Sequence, residues 1–291
     1  MSWLRLRHTT VYQYSGLVTI GPHRLVVRPR EGHDLRVEDF ALRCEPEGEV
    51  EWCRDIFGNS VARIPGFARP SDRLSIVAES ILWRSLADPS PPLPAFWDEA
   101  VSYDPLEAAV AGAYRTSVYP DDRETVRSWL EEPPAAFKEG ERGALGALSD
   151  RIRKEIRYTR REEKGVQSPA ETLARRKGSC RDMAALFLEA GRELGYPMRF
   201  ASGYLEGEAS REGDATTHAW VEAYLPELGW RGFDPMLGSS TTASHIVSGV
   251  SNHPRGVMPV SGLYFGNGIK TTSLKATVFT ERIRRPGLGP V

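Results

Sequence analysis

The chain has few cysteines, no long apolar run and almost no net charge, and each shortage closes off a class of function. Three cysteines in 291 residues cannot build the disulfide framework of a small secreted scaffold. Cys44 and Cys53 fall in a strand-rich stretch and read as small buried apolar residues, which leaves Cys180 as the unpaired thiol. No stretch approaches the ~20 apolar residues that a bilayer-crossing helix needs. The opening Met1–His8 lacks the apolar run of a signal peptide, so a cytoplasmic location without a membrane partner is expected. The 38 Lys and Arg residues against 39 Asp and Glu leave a net charge of −1, which gives no electrostatic basis for binding nucleic acid. His8, His23, His33, His245 and His253 show no ligand-like spacing, so neither a metal nor a cofactor is expected.

What is present is the composition of a globular protein, 40% hydrophobic and 26% charged. Its length suits one large or two moderate domains. Strand signals crowd the first part: Thr10–Tyr14, Leu25–Val27, Val37–Leu42, Val50–Trp52, Ser60–Ile64 and Leu74–Ala78. Gly21-Pro22, Gly58-Asn59 and Pro65-Gly66 read as the turns between them. Residues 1–87 are therefore expected to form a β-rich, sandwich-like domain, and 88–95 a proline-stiffened linker.

The remainder, 96–291, reads first as helices, over Leu106–Tyr114, Thr125–Leu130 and Ala144–Arg157, with a short one capped by Ser168 ahead of Pro169. Strands follow at Met198–Leu205, around His218 and at Trp230–Asp234, with strand-like pieces at Leu263–Ile269 and Leu274–Ile283. Glu206–Thr216 is polar and reads as a loop.

The chemistry is concentrated at Cys180. After Gly178-Ser179 the pattern turns helical, with Met183, Leu186, Phe187, Ala190 and Leu194 at helix spacing. Cys180 then sits in the first turn, where unpaired N–H groups carry partial positive charge and favour a thiolate or an oxyanion. Asp182, two residues on, suits the helix dipole and reads as structural. Thr216–Leu225 alternates, with Ala219, Val221, Ala223 and Leu225 on an apolar face and His218, Trp220, Glu222 and Tyr224 on the other. A turn at Pro226–Gly229 then leads into a second strand ending at Asp234. A thiol, an imidazole and a carboxylate in this order suit thiol acyl transfer.

Gly178-Ser179-Cys180-Arg181-Asp182, Ser202-Gly203-Tyr204, His218-Ala219-Trp220-Val221-Glu222 and Gly232-Phe233-Asp234-Pro235, taken together and in order, resemble the transglutaminase-like superfamily, a branch of the papain-like cysteine enzymes. The resemblance is strongest to bacterial members often described as candidate cysteine proteases. His8–Tyr14 and Asp55–Ser60 resemble the β-rich domain that precedes the core in that group. His245–Gly266 is a looser match, and Ser251–Arg255 departs from the more acidic and aromatic segment expected there.

The resemblance implies an α+β fold, with a papain-like transglutaminase core of helices on an antiparallel sheet behind the N-terminal β domain. It implies Cys180 as nucleophile, His218 as general base and acid, and Asp234 as the carboxylate that orients the imidazole. By looser analogy Tyr158 is an oxyanion donor. The expected activity is acyl transfer on a peptide or protein amide. Water as second nucleophile gives a protease or amidase, and an amine gives a transglutaminase; the bacterial relatives tilt the expectation to hydrolysis. The alternative is a catalytically silent binding or scaffold module.

Overall fold

The computed structural model describes residues 2–85, 103–132, 143–161, 163, 165–212, 215–226 and 228–285, so the expected linker at 88–95 lies outside the described residues. The N-terminal strands are β1 (Ser2–Leu25), β2 (Leu35–Glu45), β3 (Glu51–Arg54), β4 (Ser60–Ile64) and β5 (Ser71–Arg84). They form a curled antiparallel sheet in the order β2-β5-β1-β4-β3.

Helices follow: α1 (Pro105–Arg115), α2 (Arg123–Glu131) and α3 (Gly143–Glu155). The short strand β6 (Arg157–Tyr158) pairs in parallel with β7 (Lys177–Gly178) across α4 (Pro169–Arg175). Then come α5 (Cys180–Glu193), β8 (Met198–Leu205), α6 (Glu208–Glu212), β9 (His218–Leu225), β10 (Gly229–Asp234), β11 (Ser239–Ser240) and β12 (His245–Ser251). The last two strands are β13 (Val260–Phe265) and β14 (Thr271–Ile283).

The expected elements are mostly found, with local causes for the differences. Ser168 caps α4, its hydroxyl accepting from the Glu171 N–H, and Pro169 fills the first turn, where no N–H is needed. The expected turn at Gly21-Pro22 is absent, because β1 runs through it as one strand of 24 residues. The register against β13 shifts between Ile20 and His23, and a proline is tolerated at such an irregularity because it takes a ladder donor away where the ladder is already broken. The expected loop at 206–216 contains the short α6.

β13 and β14, which the sequence division placed with the C-terminal part, pair with β1 instead. Between Trp3 and Gln13, β5 occupies one edge of β1 and β14 the other. Both rows of β1 backbone groups are thereby hydrogen-bonded there, while its side chains alternate between the core and the outer face.

The second sheet runs β11-β10-β9-β8-β12, and α5 lies across it. Every residue of α5 from Asp182 to Arg192 is buried. Met183, Leu186, Phe187 and Ala190 meet Ala219, Val221, Ala223 and Leu225 in the main core, as the alternation of β9 predicts. The other face of β9 is covered too, with Trp220 packing on Ala201 and Val250. Leu4, Leu6 and Leu82 of the first sheet pack against Tyr204 and Ile246 of the second, so one apolar cluster spans the seam. No helix of the described residues is long and apolar enough to cross a membrane.

Candidate active site

Cys180 is the first residue of α5, and its position is fixed from below by Asp182. The Asp182 side chain is fully buried. Its Oδ2 accepts from the Ser179 N–H at 2.8 Å and the Ser179 hydroxyl at 2.7 Å, and its Oδ1 from the Gln167 N–H at 2.8 Å. The Arg161 guanidinium donates to both oxygens at 2.7 Å. A capping box with Ser179 thus fixes the first turn, and the further bonds of Asp182 tie it to the connection between β6 and α4. Gly178 has to be glycine here, since a Cβ would lie 2.8 Å from that of Asp182. The structural reading of Asp182 agrees with this geometry.

His218 opens β9 and Asp234 closes β10, the antiparallel neighbour across the hairpin. The imidazole Nε2 donates to Asp234 Oδ2 at 2.6 Å, and the Cys180 thiol lies near enough to the ring to act on its protonation. The structure therefore brings together the three residues singled out in the sequence. Both His218 and Asp234 are buried. Burial alone disfavours the His218 imidazolium, yet its bond to Asp234 and the nearby Cys180, and their charges, push its pKa up to about 10. Burial also works against ionised Asp234, but hydrogen bonds from His218 and from His245 hold it well below the usual carboxylate range. Its second oxygen, Oδ1, accepts from the Met236 N–H at 2.9 Å and the Leu237 N–H at 3.2 Å.

His245 was not singled out by sequence as part of the site. It starts β12 and donates from Nε2 to the same Asp234 Oδ2 at 3.1 Å. Only 11 residues separate it from Asp234, but the contact depends on the order of the second sheet, which puts β9 and β8 between β10 and β12. His218, Asp234 and His245 place three ligand-type atoms within 4.8 Å of one another, an arrangement to test for a cation. The Thr242 N–H donates to Nδ1 of His245 at 3.1 Å, which leaves the proton on Nε2. The His245 nitrogen that faces Asp234 is thus an N–H donor, and the cluster is a hydrogen-bonded chain.

Cys180 and His218 open onto a cavity of about 610 Å³ that also reaches the first sheet. Tyr12 and Tyr14 of β1, Tyr264 of β13 and Leu274 of β14 line it as well. Tyr14 packs on Tyr264 with ring centres 4.6 Å apart. The N-terminal region is therefore a wall of the site. Tyr158 lines the same cavity, its hydroxyl pushed up in pKa by burial and then by the charge of Cys180. Cys44 and Cys53 are free and partly buried, and burial pushes Cys44 up to about 11.

Comparison with known proteins agrees with the fold. Residues 4–82 match the bacterial transglutaminase-like N-terminal region, and 134–235 match the transglutaminase-like superfamily. The Mycobacterium tuberculosis protein Rv2569c is 27% identical over 282 residues, covering 90% of this chain and 88% of that protein. The Mycobacterium leprae protein ML0607 is 32% identical over 124 residues, covering 41% and 43% respectively. The crystal structure of a candidate cysteine protease from Cytophaga hutchinsonii shares the fold over 99% of this chain and 93% of its own, with a TM-score of 0.67 at 16% identity. The two matched regions together take in more than half of the sequence, in order and on a shared fold, and the chain belongs to the transglutaminase-like superfamily, with the bacterial N-terminal region ahead of its core.

Proposed function

We propose that the chain is a thiol-dependent acyl-transfer enzyme acting on an amide of a peptide or protein, with Cys180 as nucleophile, His218 as acid and base and Asp234 as the group that orients the imidazole. The observation that carries this reading is the double engagement of His218. One ring nitrogen is given to a buried carboxylate, and the ring shares a cavity with a thiol at a helix N-terminus that lies near enough to raise its pKa. A histidine needed only for packing has no use for that second partner.

In the proposed cycle the Cys180 proton passes to Nδ1 of His218, and the sulfur attacks the amide carbonyl carbon. Negative charge collects on the carbonyl oxygen, near the N–H groups that open α5 and the Tyr158 hydroxyl. The C–N bond breaks as His218 returns its proton to the departing amine, leaving a thioester on Cys180. Water, deprotonated by His218, attacks the thioester and releases the acid and the thiol. An amine in place of water gives transfer rather than hydrolysis. Hydrolysis is the proposed outcome, since the cavity is open to solvent and holds polar side chains beside the thiol.

The test is the rate of iodoacetamide alkylation at Cys180 from pH 5 to 9, followed by mass spectrometry in wild type and His218→Ala. Fast labelling below pH 7 that disappears in the variant supports the reading and justifies a screen of peptides with and without an amine acceptor. Slow labelling, equal in both proteins, would overturn it in favour of a catalytically silent binding module.

A further inference from the structure

Asp234 Oδ2 is shared. Two imidazoles from different strands, His218 at 2.6 Å and His245 at 3.1 Å, donate to one carboxylate oxygen, while two backbone N–H groups saturate the other. The tautomer of His245 is fixed by its surroundings. The turn before β12 closes on itself, with the His245 N–H donating to the Thr242 carbonyl at 2.9 Å and the Ser244 N–H to the Thr242 hydroxyl at 3.2 Å. The Thr242 N–H then points at Nδ1 of His245. The first sheet holds this turn in place, since Arg84 of β5 donates to the Ala243 carbonyl at 2.6 Å. The Trp220 ring stands edge-on to His245 with centres 5.2 Å apart. A buried ring held on this many sides delivers one N–H to one place.

We propose that His245 is a positioning residue for the His218–Asp234 pair: its Nε2–H shares Asp234 Oδ2 with His218 and so limits how firmly that carboxylate holds the imidazole proton. The inference rests on the acyl-transfer reading above and concerns the regulation of the same site. A carboxylate oxygen that accepts one strong hydrogen bond has less electron density for a second. Without His245, Oδ2 serves His218 alone, the N–H···O bond between them tightens, and the imidazolium becomes a poorer acid toward the departing amine. His245 reaches no reacting atom, so its effect passes through Asp234 and His218.

The charged and titratable groups around the pair include Cys180 of α5, Tyr158 of β6, Asp150 and Arg153 of α3 beside Gly238 and, behind the turn, Arg84, Glu206 and Arg282. Arg153 donates to the Leu237 carbonyl, and Arg84 and Arg282 pair with Glu206. The four donors to the Asp234 carboxylate are His218, His245, Met236 and Leu237, and of these only the two imidazoles can titrate.

The experiment is nuclear magnetic resonance of the full chain labelled with ¹⁵N-histidine, in wild type, His245→Leu and His245→Gln. The readouts are the frequency of the His218 Nε2–H proton and the titration of the His218 ring. In His245→Leu the proton moves downfield and the titration moves up by at least about half a pH unit. His245→Gln, whose amide can donate to Oδ2, returns part of both changes. Unchanged signals in both variants, a shift in the opposite direction, or equal behaviour of Leu and Gln would overturn the proposal. Failure of the acyl-transfer reading appears separately, as Cys180 alkylation in wild type that does not depend on His218. If His245→Leu unfolds, His245→Phe, which keeps a flat ring but has no donor for Oδ2, takes its place in the comparison with His245→Gln, and the same outcomes support or overturn the proposal.

Discussion

Arg84 of β5 and Glu206, just past β8, form an ion pair across the seam between the two sheets, with side chains only 3% and 1% exposed. Arg282 of β14 reaches the same carboxylate at 2.8 Å, and Arg84 also holds the turn that precedes β12. Burial opposes the ionised carboxyl of Glu206, but bonds from Arg282 and Arg84 outweigh it and lower its pKa. A pair this deep adds little compared with well-packed apolar residues, yet breaking one side leaves a buried charge without its partner. Glu206→Leu is therefore expected to destabilise the chain by about 3–5 kcal/mol. Arg84→Met combined with Glu206→Leu should cost less than the single change. Urea unfolding of the three variants checks this, and a double variant as weak as Glu206→Leu would show that the charge imbalance is not the cause.

Asp234→Asn keeps the shape of the side chain but removes its charge. Its Oδ1 can still accept from Met236 and Leu237, while the amide at the other position must face two imidazole N–H donors. His218 then loses both its orientation and its preference for carrying the proton on Nε2. A fall in kcat on the order of 10²–10⁴ is expected, smaller than the complete loss from Cys180→Ala. The pH–rate profile is the check, because an Asp234→Asn variant that keeps the wild-type profile and rate would leave Asp234 with a turn-shaping role alone.

Much of this site is legible in the sequence, because its signals are local. The Gly178-Ser179 entry, the apolar spacing after Cys180 and the hairpin from His218 to Asp234 each occupy fewer than twenty residues, and each is found where expected. What escapes the sequence depends on pairing over long separations. β14 meets β1 from the far end of the chain, and nothing in Thr271–Ile283 says which sheet it will join. The same return brings Leu274 and Tyr264 to the cavity. His245 was set aside for lack of ligand-like spacing, and its partner became visible only when β12 was placed beside β8. Gly21-Pro22 misled for the opposite reason, since a strong local turn signal was overridden by a strand paired on both edges.

His8 predicts an acid sensitivity that is independent of catalysis. It is buried, with the Thr10 hydroxyl 2.9 Å from Nε2 and the Tyr204 hydroxyl 3.2 Å from Nδ1. Tyr204 gives its own proton to the Val27 carbonyl at 2.7 Å, so His8 Nδ1 is the donor to Tyr204 and the ring is neutral. Burial lowers the pKa of His8 to about 4. The unfolded chain takes up this proton near pH 6.5 and the folded chain near 4, so the unfolded state binds more protons between those values. Stability is fully present above about pH 6.5 and falls as the pH drops through the window, by about 3 kcal/mol in total. His8→Phe should weaken the fold at pH 7, where it leaves Tyr204 and Thr10 short of a partner, but lose less between pH 7 and 5 than wild type does. Urea midpoints at the two pH values are the measurement, and equal losses in both proteins would place the sensitivity elsewhere.

Gly203 links the fold to the site. It lies on β8 between Val247 of β12 and His218 of β9 in the register of the sheet. A Cβ at this position would lie 2.0 Å from the Ile246 carbonyl oxygen and 2.9 Å from the edge of the Trp220 ring. The carbonyl is backbone in the middle of a sheet, so Gly203→Ala can be accommodated only by moving β12 away from β8. That movement carries His245, the first residue of β12, and loosens Trp220, which packs against it. The expected cost is about 1–3 kcal/mol of stability, as for other overpacked interiors. Activity should fall further than that loss of folded protein explains, with the deficit in kcat rather than KM, because the displaced group acts on the imidazole and not on substrate binding. A Gly203→Ala protein with wild-type kcat per folded molecule would show that the close approach of β8 and β12 serves packing only.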